Sequence, residues 1–400
     1  MPTKRQTGVR SGAGLSRLIA LAPPDFATTH WGRSPLISRA GELPAPFDDL
    51  LDHAGVDTLL STRGLRTPFL RVAKDGVTRP ERDFTTGGGI GAGVRDQISD
   101  DALLRLFAQG CTIVLQGLHR TWEPLLRLSQ DLAAYLGHPV QVNAYVTPTQ
   151  STGFAAHYDV HDVFVLQIAG EKRWRLYPPV RDNPARDEPW TDHRDAVEQA
   201  AAAEPSHEVV LAPGDCLYLP RGWLHAASAL DGVSTHVTIG VHTWDGGHIA
   251  DALLATARRG LPDTLRASLP LGVDVTDSGT YDETIEGVRA ALIRAVADAP
   301  AEAVAEALLA QHRAAQRPAP IAPVSTVEVA ASIDEGRALS LRPHLAARYE
   351  DGVLRGRHGR TEIDPADEEV VRRLLDGETL TAPSPTARRL LLAGIAVLAD

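Results

Sequence analysis

The residues with the clearest chemical potential are a histidine and an aspartate one residue apart, followed much later by a second histidine. In an extended chain His157 and Asp159 point to the same side, so an imidazole and a carboxylate converge. His225 follows the apolar segment GDCLYLP, in the predicted turn PRGWLH. Two imidazoles and one carboxylate on one face of a cation leave its other positions open, which suits non-haem Fe(II). The alternative interpretation is a pair of hydrogen-bonded structural histidines, because an isolated His-x-Asp is common.

The segments that must position these residues have the pattern of closely spaced strands. From residue 138 to about 245, apolar and polar residues alternate, with Val140, Val142, Ala144 and Val146 on one predicted face. Turn signals such as Gly170 and Pro213-Gly214 separate the predicted strands, which we place at 140–147, 162–169, 173–177, 208–211, 215–219 and 234–243. The pattern predicts an all-β barrel or jelly roll.

The motifs of this region resemble the JmjC-type cupins, in particular the ribosomal-oxygenase branch of the Fe(II)- and 2-oxoglutarate-dependent dioxygenases. The resemblance covers residues 140–241, in the segments NAYVTP, HYDVHDVFVLQIAGEKRWRLYPP, PGDCLYLPRGWLHAA and STHVTIG. It implies a double-stranded β-helix core that binds Fe(II), 2-oxoglutarate and O2. By the same resemblance His157, Asp159 and His225 are the iron ligands, and Lys172 pairs with the distal carboxylate of 2-oxoglutarate.

Three further positions matter for the co-substrate. The resemblance implies that Asn143 and Tyr145 hydrogen-bond 2-oxoglutarate, whereas the residues alone fit equally well with polar side chains on the wet face of a sheet. Lys172, read without the resemblance, fits a solvated charge in a hairpin. Eukaryotic members of the family have a serine where Gly240 stands, which implies that one co-substrate hydrogen bond is absent or replaced by water.

The rest of the chain is expected to form four further parts. The catalytic domain is predicted over 15–245, including its N-terminal flanking elements. The four other parts are a disordered basic tail over 1–14, a helical region over 246–316, a stiff linker over 317–323, and an α+β module over 324–400. The resemblance implies that the helical region forms a homodimer and that the last module is winged-helix-like. The fold class is therefore mixed α+β.

Composition excludes several classes of protein. The net charge of −11 argues against a protein held mainly by nucleic-acid phosphates or by an anionic membrane, and no apolar run approaches the length of a spanning helix. We expect a cytoplasmic protein with no membrane contact and no direct binding to nucleic acid. Cys111 and Cys216 cannot form a disulfide framework or a four-thiolate zinc site.

The resemblance implies an oxygenase that hydroxylates a protein side chain, and we expect the substrate to be an Arg or His of a ribosomal protein. Two alternatives stay open. One is a hydroxylase of a small metabolite or a biosynthetic peptide, and the other is a non-catalytic cupin that serves as a binding module. For a basic substrate side chain, Tyr158, Asp162 and Trp223 are the candidate partners at the pocket.

Overall fold

The computed structural model describes residues 12–399, except residues 75, 150, 152–154, 261–267, 270 and 335. The described residues fall into two compact units, 12–243 and 244–399. The predicted tail over 1–14 therefore lies largely outside the described residues, but its last two residues belong to a short helix that begins at Ala13.

The first unit contains thirteen strands and seven helices among its described residues. Its strands are β1 (Leu36–Ser38), β2 (Leu70–Lys74), β3 (Val77–Thr78), β4 (Thr85–Thr86), β5 (Gln97–Ile98), β6 (Thr112–Leu115), β7 (Val140–Thr147), β8 (Asp162–Ala169), β9 (Lys172–Tyr177), β10 (His207–Leu211), β11 (Cys216–Leu219), β12 (Leu224–Ala229) and β13 (Ser234–Val241). Its helices are α1 (Ala13–Ser16), α2 (Pro23–Thr29), α3 (His53–Thr62), α4 (Asp100–Ala108), α5 (Leu118–Thr121), α6 (Glu123–Leu136) and α7 (Arg194–Ala201).

Two antiparallel sheets form the core of this unit. The larger has eight strands in the order β1-β11-β8-β13-β7-β6-β2-β3, and the smaller has three in the order β10-β9-β12. Along β7 the residues Val142, Ala144 and Val146 are buried in the main hydrophobic core, together with Leu125 and Leu132 of α6. Because side chains alternate along a strand, the other face of the large sheet is left for the small sheet. This arrangement confirms the predicted cupin fold of antiparallel strands.

A second apolar cluster lies between the two sheets. Val163 and Val165 of β8 are buried with Trp174 and Leu176 of β9, and Leu217 of β11 completes the contact. Packing of this kind fixes the spacing of the two sheets. The polar site described below is built from the same strands.

One predicted element differs in a way that matters for function. His225 does not lie in a turn; it lies in β12, which pairs antiparallel with β9 and places His225 opposite Leu176. The segment LHAASA contains none of the β-branched or aromatic residues that mark strands, so pairing with β9 decides its structure.

The second unit combines helices with short strands. Its helices are α8 (Gly246–Arg259), α9 (Asp282–Ala297), α10 (Ala301–Ala315), α11 (Pro323–Ser332), α12 (Glu368–Leu375) and α13 (Ser384–Leu392). Its strands are β14 (Ala338–Leu341), β15 (Arg348–Glu350), β16 (Val353–Gly356), β17 (Gly359–Glu362), β18 (Leu380–Thr381) and β19 (Ala396–Leu398). Leu339, Leu354, Val371 and Leu390 are buried in one cluster that joins the small sheets to α12 and α13.

Two details of this unit differ from the sequence-based expectation. Pro323 is the first residue of α11 rather than the last residue of a linker. The apolar pattern of the sequence also predicts a helix over 386–398, but the observed helix ends at Leu392 and a strand follows, because Gly394 adopts a left-handed backbone (φ +65°) that stops the helix. Among the described residues no helix is both long and apolar enough to span a membrane.

Candidate active site

The structure brings His157, Asp159 and His225 together. One potential ligand atom from each residue lies within 4.8 Å of the other two, and Nε2 of His225 is 3.8 Å from Oδ2 of Asp159. The two histidines are joined through their backbones, since the His157 amide donates to the His225 carbonyl (3.2 Å) and the His225 amide donates back (2.9 Å). This isolated β-bridge holds the two imidazoles side by side, with ring centroids 4.4 Å apart.

Both imidazoles are oriented by backbone carbonyls. Nδ1 of His157 lies 2.7 Å from the carbonyl oxygen of Ala155, and Nδ1 of His225 lies 3.1 Å from that of Trp223. A carbonyl can only accept, so each Nδ1 carries the proton and each Nε2 carries the lone pair that binds a metal. Hydrogen bonds of this kind to the remote ring nitrogen are typical of histidine metal ligands.

The protonation states of His225 and Asp159 also suit a cation. Burial, reinforced by the neighbouring His157, lowers the pKa of His225 to about 4, so its imidazole is neutral near neutral pH. Burial alone would raise the pKa of Asp159, but the surrounding histidines, His161 first, outweigh it and hold that pKa below its ordinary value. A neutral imidazole and an ionised carboxylate are the forms that coordinate metals. The donor set therefore fits a divalent ion such as Fe(II).

These residues line a cavity of about 80 Å³ between the two sheets. The cavity is lined by Thr112, Tyr145, His157, Asp159, Val163, Val165, Lys172, Trp174, His225, Ala227, His236 and Thr238. The large sheet contributes the residues from β6, β7, β8 and β13, and the small sheet contributes those from β9 and β12.

Lys172 is a buried ammonium group in this cavity, with only 3% of the residue exposed. Its Nζ donates to Oγ1 of Thr147 (3.2 Å) and lies 3.4 Å from Nδ1 of His236. No carboxylate of the described residues lies within 4.0 Å of it, and burial lowers its pKa to about 7. A buried cation with neutral neighbours is costly unless an anion joins it, so the cavity fits a carboxylate ligand at this end. The interpretation of Lys172 as a solvated hairpin charge is wrong.

The two other predicted co-substrate residues have different positions. Tyr145 lines the cavity and stacks on His236, with ring centroids 4.9 Å apart and planes 2° from parallel. Burial raises the pKa of Tyr145 to about 12, so its hydroxyl stays protonated. Oδ1 of Asn143 instead accepts a hydrogen bond from the Gly117 amide (3.2 Å), and Asn143 is not among the residues that line the cavity. A role for Asn143 in co-substrate binding stays a prediction.

The residues that were predicted to contact a basic substrate form hydrogen bonds within the protein instead. Tyr158 is buried and donates to the Glu188 carbonyl, Asp162 accepts from the Tyr218 hydroxyl, and the Trp223 indole donates to the Arg33 carbonyl. Two tryptophans lie near the metal ligands: the ring centroid of Trp174 is 5.9 Å from that of His225, and the ring centroid of Trp190 is 6.3 Å from that of His157. The guanidinium of Arg194 lies over the Trp190 ring, 4.7 Å from its centroid. Sequence reasoning missed Trp190 because it lies in the connection between β9 and β10, where no strand pattern places it.

Comparison with known proteins agrees with this geometry. A family model described as the JmjC domain matches residues 118–249. These residues are a JmjC domain.

The relatives found by sequence align over more residues than the JmjC domain alone. The chain is 32% identical over 271 residues to ribosomal oxygenase 1 of Gallus gallus, covering 66% of this chain and 43% of that protein. It is 32% identical over 329 residues to human ribosomal oxygenase 1, covering 76% and 48%. It thus spans less than half the length of these two curated relatives. The predicted resemblance to ribosomal oxygenases is confirmed.

Solved structures share the fold over nearly the whole of this chain. The ribosomal oxygenase YcfD of Escherichia coli matches with a TM-score of 0.52 at 15% identity, over 95% of this chain and 98% of that one. The structure of YcfD with cobalt and 2-oxoglutarate matches with a TM-score of 0.53 at 14% identity, over 96% and 99%.

Proposed function

We propose that this protein is an Fe(II)- and 2-oxoglutarate-dependent oxygenase that hydroxylates a protein side chain. The observation that carries the proposal is the shared cavity, which is lined both by the His-Asp-His cluster and by the buried Lys172, which has no carboxylate partner among the described residues. A dicarboxylate that chelates the metal at one end needs a cation at its other end, and Lys172 is in place to serve. The names of the relatives and the cobalt and 2-oxoglutarate bound to YcfD support the same reaction.

The residues that line the cavity would have three different roles. His157, Asp159 and His225 would hold the iron on one face and leave its other positions to ligands. Lys172, with Thr147 and Tyr145 nearby, would bind and orient the distal carboxylate of 2-oxoglutarate. Val163, Val165 and Trp174 line the same cavity and would exclude water. When bound, Fe(II), 2-oxoglutarate and O2 supply the oxidising power for hydroxylation of a C–H bond, with succinate and CO2 as co-products.

The pH dependence of co-substrate binding should identify Lys172 as the cation. Its pKa of about 7 means that the ammonium loses its proton as the pH rises above 7, whereas a bound carboxylate would raise that pKa. We expect affinity for 2-oxoglutarate to fall above pH 7, by at most about tenfold per pH unit, with proton uptake on binding. The neighbouring groups do not interfere, because His236 has a pKa well below its ordinary value and Tyr145 one of about 12.

Calorimetry at pH 6.5 to 8.5, in two buffers with different ionisation enthalpies, measures both the affinity and the proton uptake. Lys172→Arg is the matched control, because a guanidinium stays protonated and should abolish the uptake. Equal affinity across this range would contradict the assignment.

We propose that the substrate is an Arg or His of a ribosomal protein. The names of the relatives support a ribosomal substrate, and the net charge of −11 favours encounter with basic segments.

Mass spectrometry of ribosomal proteins from the host with and without the gene tests this substrate. We expect one protein to lose a species heavier by about 16 Da, the mass of one oxygen atom, when the gene is deleted. The wild-type gene should restore that species and Asp159→Ala should not. Unchanged masses throughout, with 2-oxoglutarate still turned over by the purified protein, would favour a metabolite or biosynthetic peptide instead. No turnover with iron at all would favour a non-catalytic cupin.

We also propose a homodimer formed through residues 246–316, with a winged-helix-like module over 324–400. Exposed Ile249 and Leu254 of α8 and Ile293 of α9 support an apolar surface on the helical region. Light scattering at micromolar concentration should give twice the mass of 42.9 kDa, and the mass of a single chain would refute the dimer.

We further propose that the protein acts in the cytoplasm, where a ribosomal substrate is accessible. We expect no direct binding to nucleic acid, because the acidic net charge repels phosphate.

A further inference from the structure

His236 is a buried histidine of the cavity whose ring is held by two aromatic side chains. It lies on β13 directly opposite Tyr145 of β7, and only 3% of the residue is exposed. Its ring stacks on that of Tyr145 and makes a T-shaped contact with that of Trp174, with centroids 5.5 Å apart and planes at 83°. Two ring contacts of different orientation leave the imidazole little freedom to turn. Its two ring nitrogens therefore have fixed surroundings.

The ammonium of Lys172 contacts one of these nitrogens. A charged ammonium has three N–H donors and no acceptor. One donor reaches Oγ1 of Thr147 (3.2 Å) and another reaches Nδ1 of His236 (3.4 Å). The Thr147 oxygen also accepts from the Thr112 hydroxyl (3.2 Å), which helps to fix its position. The third donor of Lys172 has no partner among the described residues and is available to a ligand in the cavity.

The contact with Lys172 also selects the tautomer of His236. Because the ammonium can only donate, Nδ1 must accept, and the proton of the ring lies on Nε2. Burial, and after it the charge of Lys172, hold the pKa of His236 well below its ordinary value, so the ring stays neutral. His236 therefore presents a neutral N–H donor beside Lys172 rather than a second positive charge.

The Nε2 atom of His236 has no acceptor within the part of the chain that the structure describes. It is not sealed inside the protein, in contrast to the indole nitrogen of Trp174, which is buried without a partner. His236 lines the cavity, so an oxygen atom of a bound ligand is the acceptor that fits its Nε2–H. The third N–H of Lys172 and the Nε2–H of His236 are thus two donors available in the same cavity.

We propose that His236 is a second carboxylate-binding residue, which directs the Lys172 ammonium through Nδ1 and donates its Nε2–H to the same ligand carboxylate. A carboxylate has two acceptor oxygens and can satisfy both donors, whereas a ligand with a single oxygen would leave one of them unpaired. This inference rests on the proposed function and deepens it, because it gives the distal carboxylate of 2-oxoglutarate two donors from different strands.

Three substitutions separate the two roles of His236, with 2-oxoglutarate as the probe and Co(II) in the metal site. His236→Phe keeps a flat ring between Tyr145 and Trp174 but removes both nitrogens. His236→Asn places an oxygen near Nδ1 that can accept from Lys172, and His236→Gln places an amide N–H near Nε2. We expect calorimetry to show 2-oxoglutarate binding weakened about 10- to 100-fold in His236→Phe, as for loss of a hydrogen bond to a charged group. The Asn and Gln variants should each recover part of this loss, and Co(II) affinity should stay unchanged in all three.

Nuclear magnetic resonance of the ring nitrogens gives a readout that a purely space-filling role would not change. With isotopically labelled histidine and diamagnetic Zn(II) in the metal site, Nδ1 of His236 should have the shift of an acceptor and Nε2 that of a protonated nitrogen. His236→Phe identifies these signals by their loss. Addition of 2-oxoglutarate should move the Nε2 proton downfield as it donates to the carboxylate. Lys172→Met removes the donor to Nδ1 and should give a mixture of tautomers.

The control is His207→Ala, which removes an exposed histidine of β10 and should leave 2-oxoglutarate affinity unchanged. Thermal unfolding checks the fold of each variant. If His236→Phe does not fold, the Asn and Gln variants and the wild-type spectrum still decide the question.

Three results would each overturn this inference and leave the proposed function standing. They are wild-type 2-oxoglutarate affinity in His236→Phe, a ring proton located on Nδ1, and an Nε2 proton that 2-oxoglutarate does not move. If the wild-type protein with Co(II) bound no 2-oxoglutarate, the proposed function would fail and this inference with it. The two failures are therefore distinguishable.

Discussion

Replacement of Asp159 by alanine is expected to abolish succinate formation and to weaken metal binding by more than about a hundredfold. This residue supplies the negative charge of the site, and the loss of a direct ligand must exceed the loss of an outer partner. Equilibrium binding of Co(II) and a succinate assay with added iron measure the two effects. His157→Ala and His225→Ala should also be inactive, although each removes a neutral ligand.

The matched control for this prediction is Asp231→Ala, which removes an exposed aspartate from the connection between β12 and β13. It should bind metal and turn over 2-oxoglutarate as the wild type does. Thermal unfolding of each variant checks that the fold persists, since Asp159 lies outside the apolar clusters that hold the sheets together. An Asp159→Ala protein that produced succinate at the wild-type rate would refute the metal site.

Replacement of Lys172 by alanine is expected to weaken 2-oxoglutarate binding by roughly 2–4 kcal/mol, which corresponds to about 30- to 700-fold. The loss is large because the distal carboxylate would remain buried without a counter-charge. Affinity for Co(II) should hardly change, because no metal-site residue is among the hydrogen-bond partners of Nζ. The Michaelis constant for 2-oxoglutarate and the Co(II) dissociation constant together make the measurement.

Lys172→Met separates function from stability. In the absence of 2-oxoglutarate the buried ammonium opposes folding, as its lowered pKa indicates, so a neutral side chain of similar length should leave the free energy of unfolding unchanged or raise it. The same variant should bind 2-oxoglutarate as poorly as Lys172→Ala does. Lys74→Ala, which removes an ammonium bonded to the Gln109 carbonyl, is the control and should alter neither constant. A normal Michaelis constant in both Lys172 variants would show that another group receives the carboxylate.

The convergence of His157 and Asp159 could be predicted from sequence because its signal is local, whereas His225 was assigned through the family resemblance. His157 and Asp159 converge through strand alternation alone, and Lys172 follows a turn at Gly170 that the structure forms with a positive φ of 62°. The burial of Lys172 could not be predicted in the same way, because it depends on contacts with Thr147 and His236, which belong to two other strands. Asn143 shows the same limit: its face of β7 was predictable, but its hydrogen bond to the Gly117 amide depends on a loop distant in sequence.

Elements whose sequence has no periodic pattern were harder to predict. The strand that carries His225 is composed largely of alanine and serine, and it is extended because it pairs with β9. Trp190 approaches His157 from a long connection whose path has no periodic signal. In both cases tertiary contacts decide the structure, as they often do where intrinsic propensity is weak.

The reciprocal backbone bridge between His157 and His225 has a consequence for metallation in the cell. Because the bridge and the two carbonyl contacts fix both imidazoles in advance, little ordering remains to be done when an ion arrives. A site that is already ordered cannot select Fe(II) over other divalent ions by folding around it. Nitrogen and oxygen donors bind Co(II) and Ni(II) at least as tightly as Fe(II). The metal carried by the isolated protein should therefore reflect the supply during expression, and activity should depend on exchange of that ion for iron.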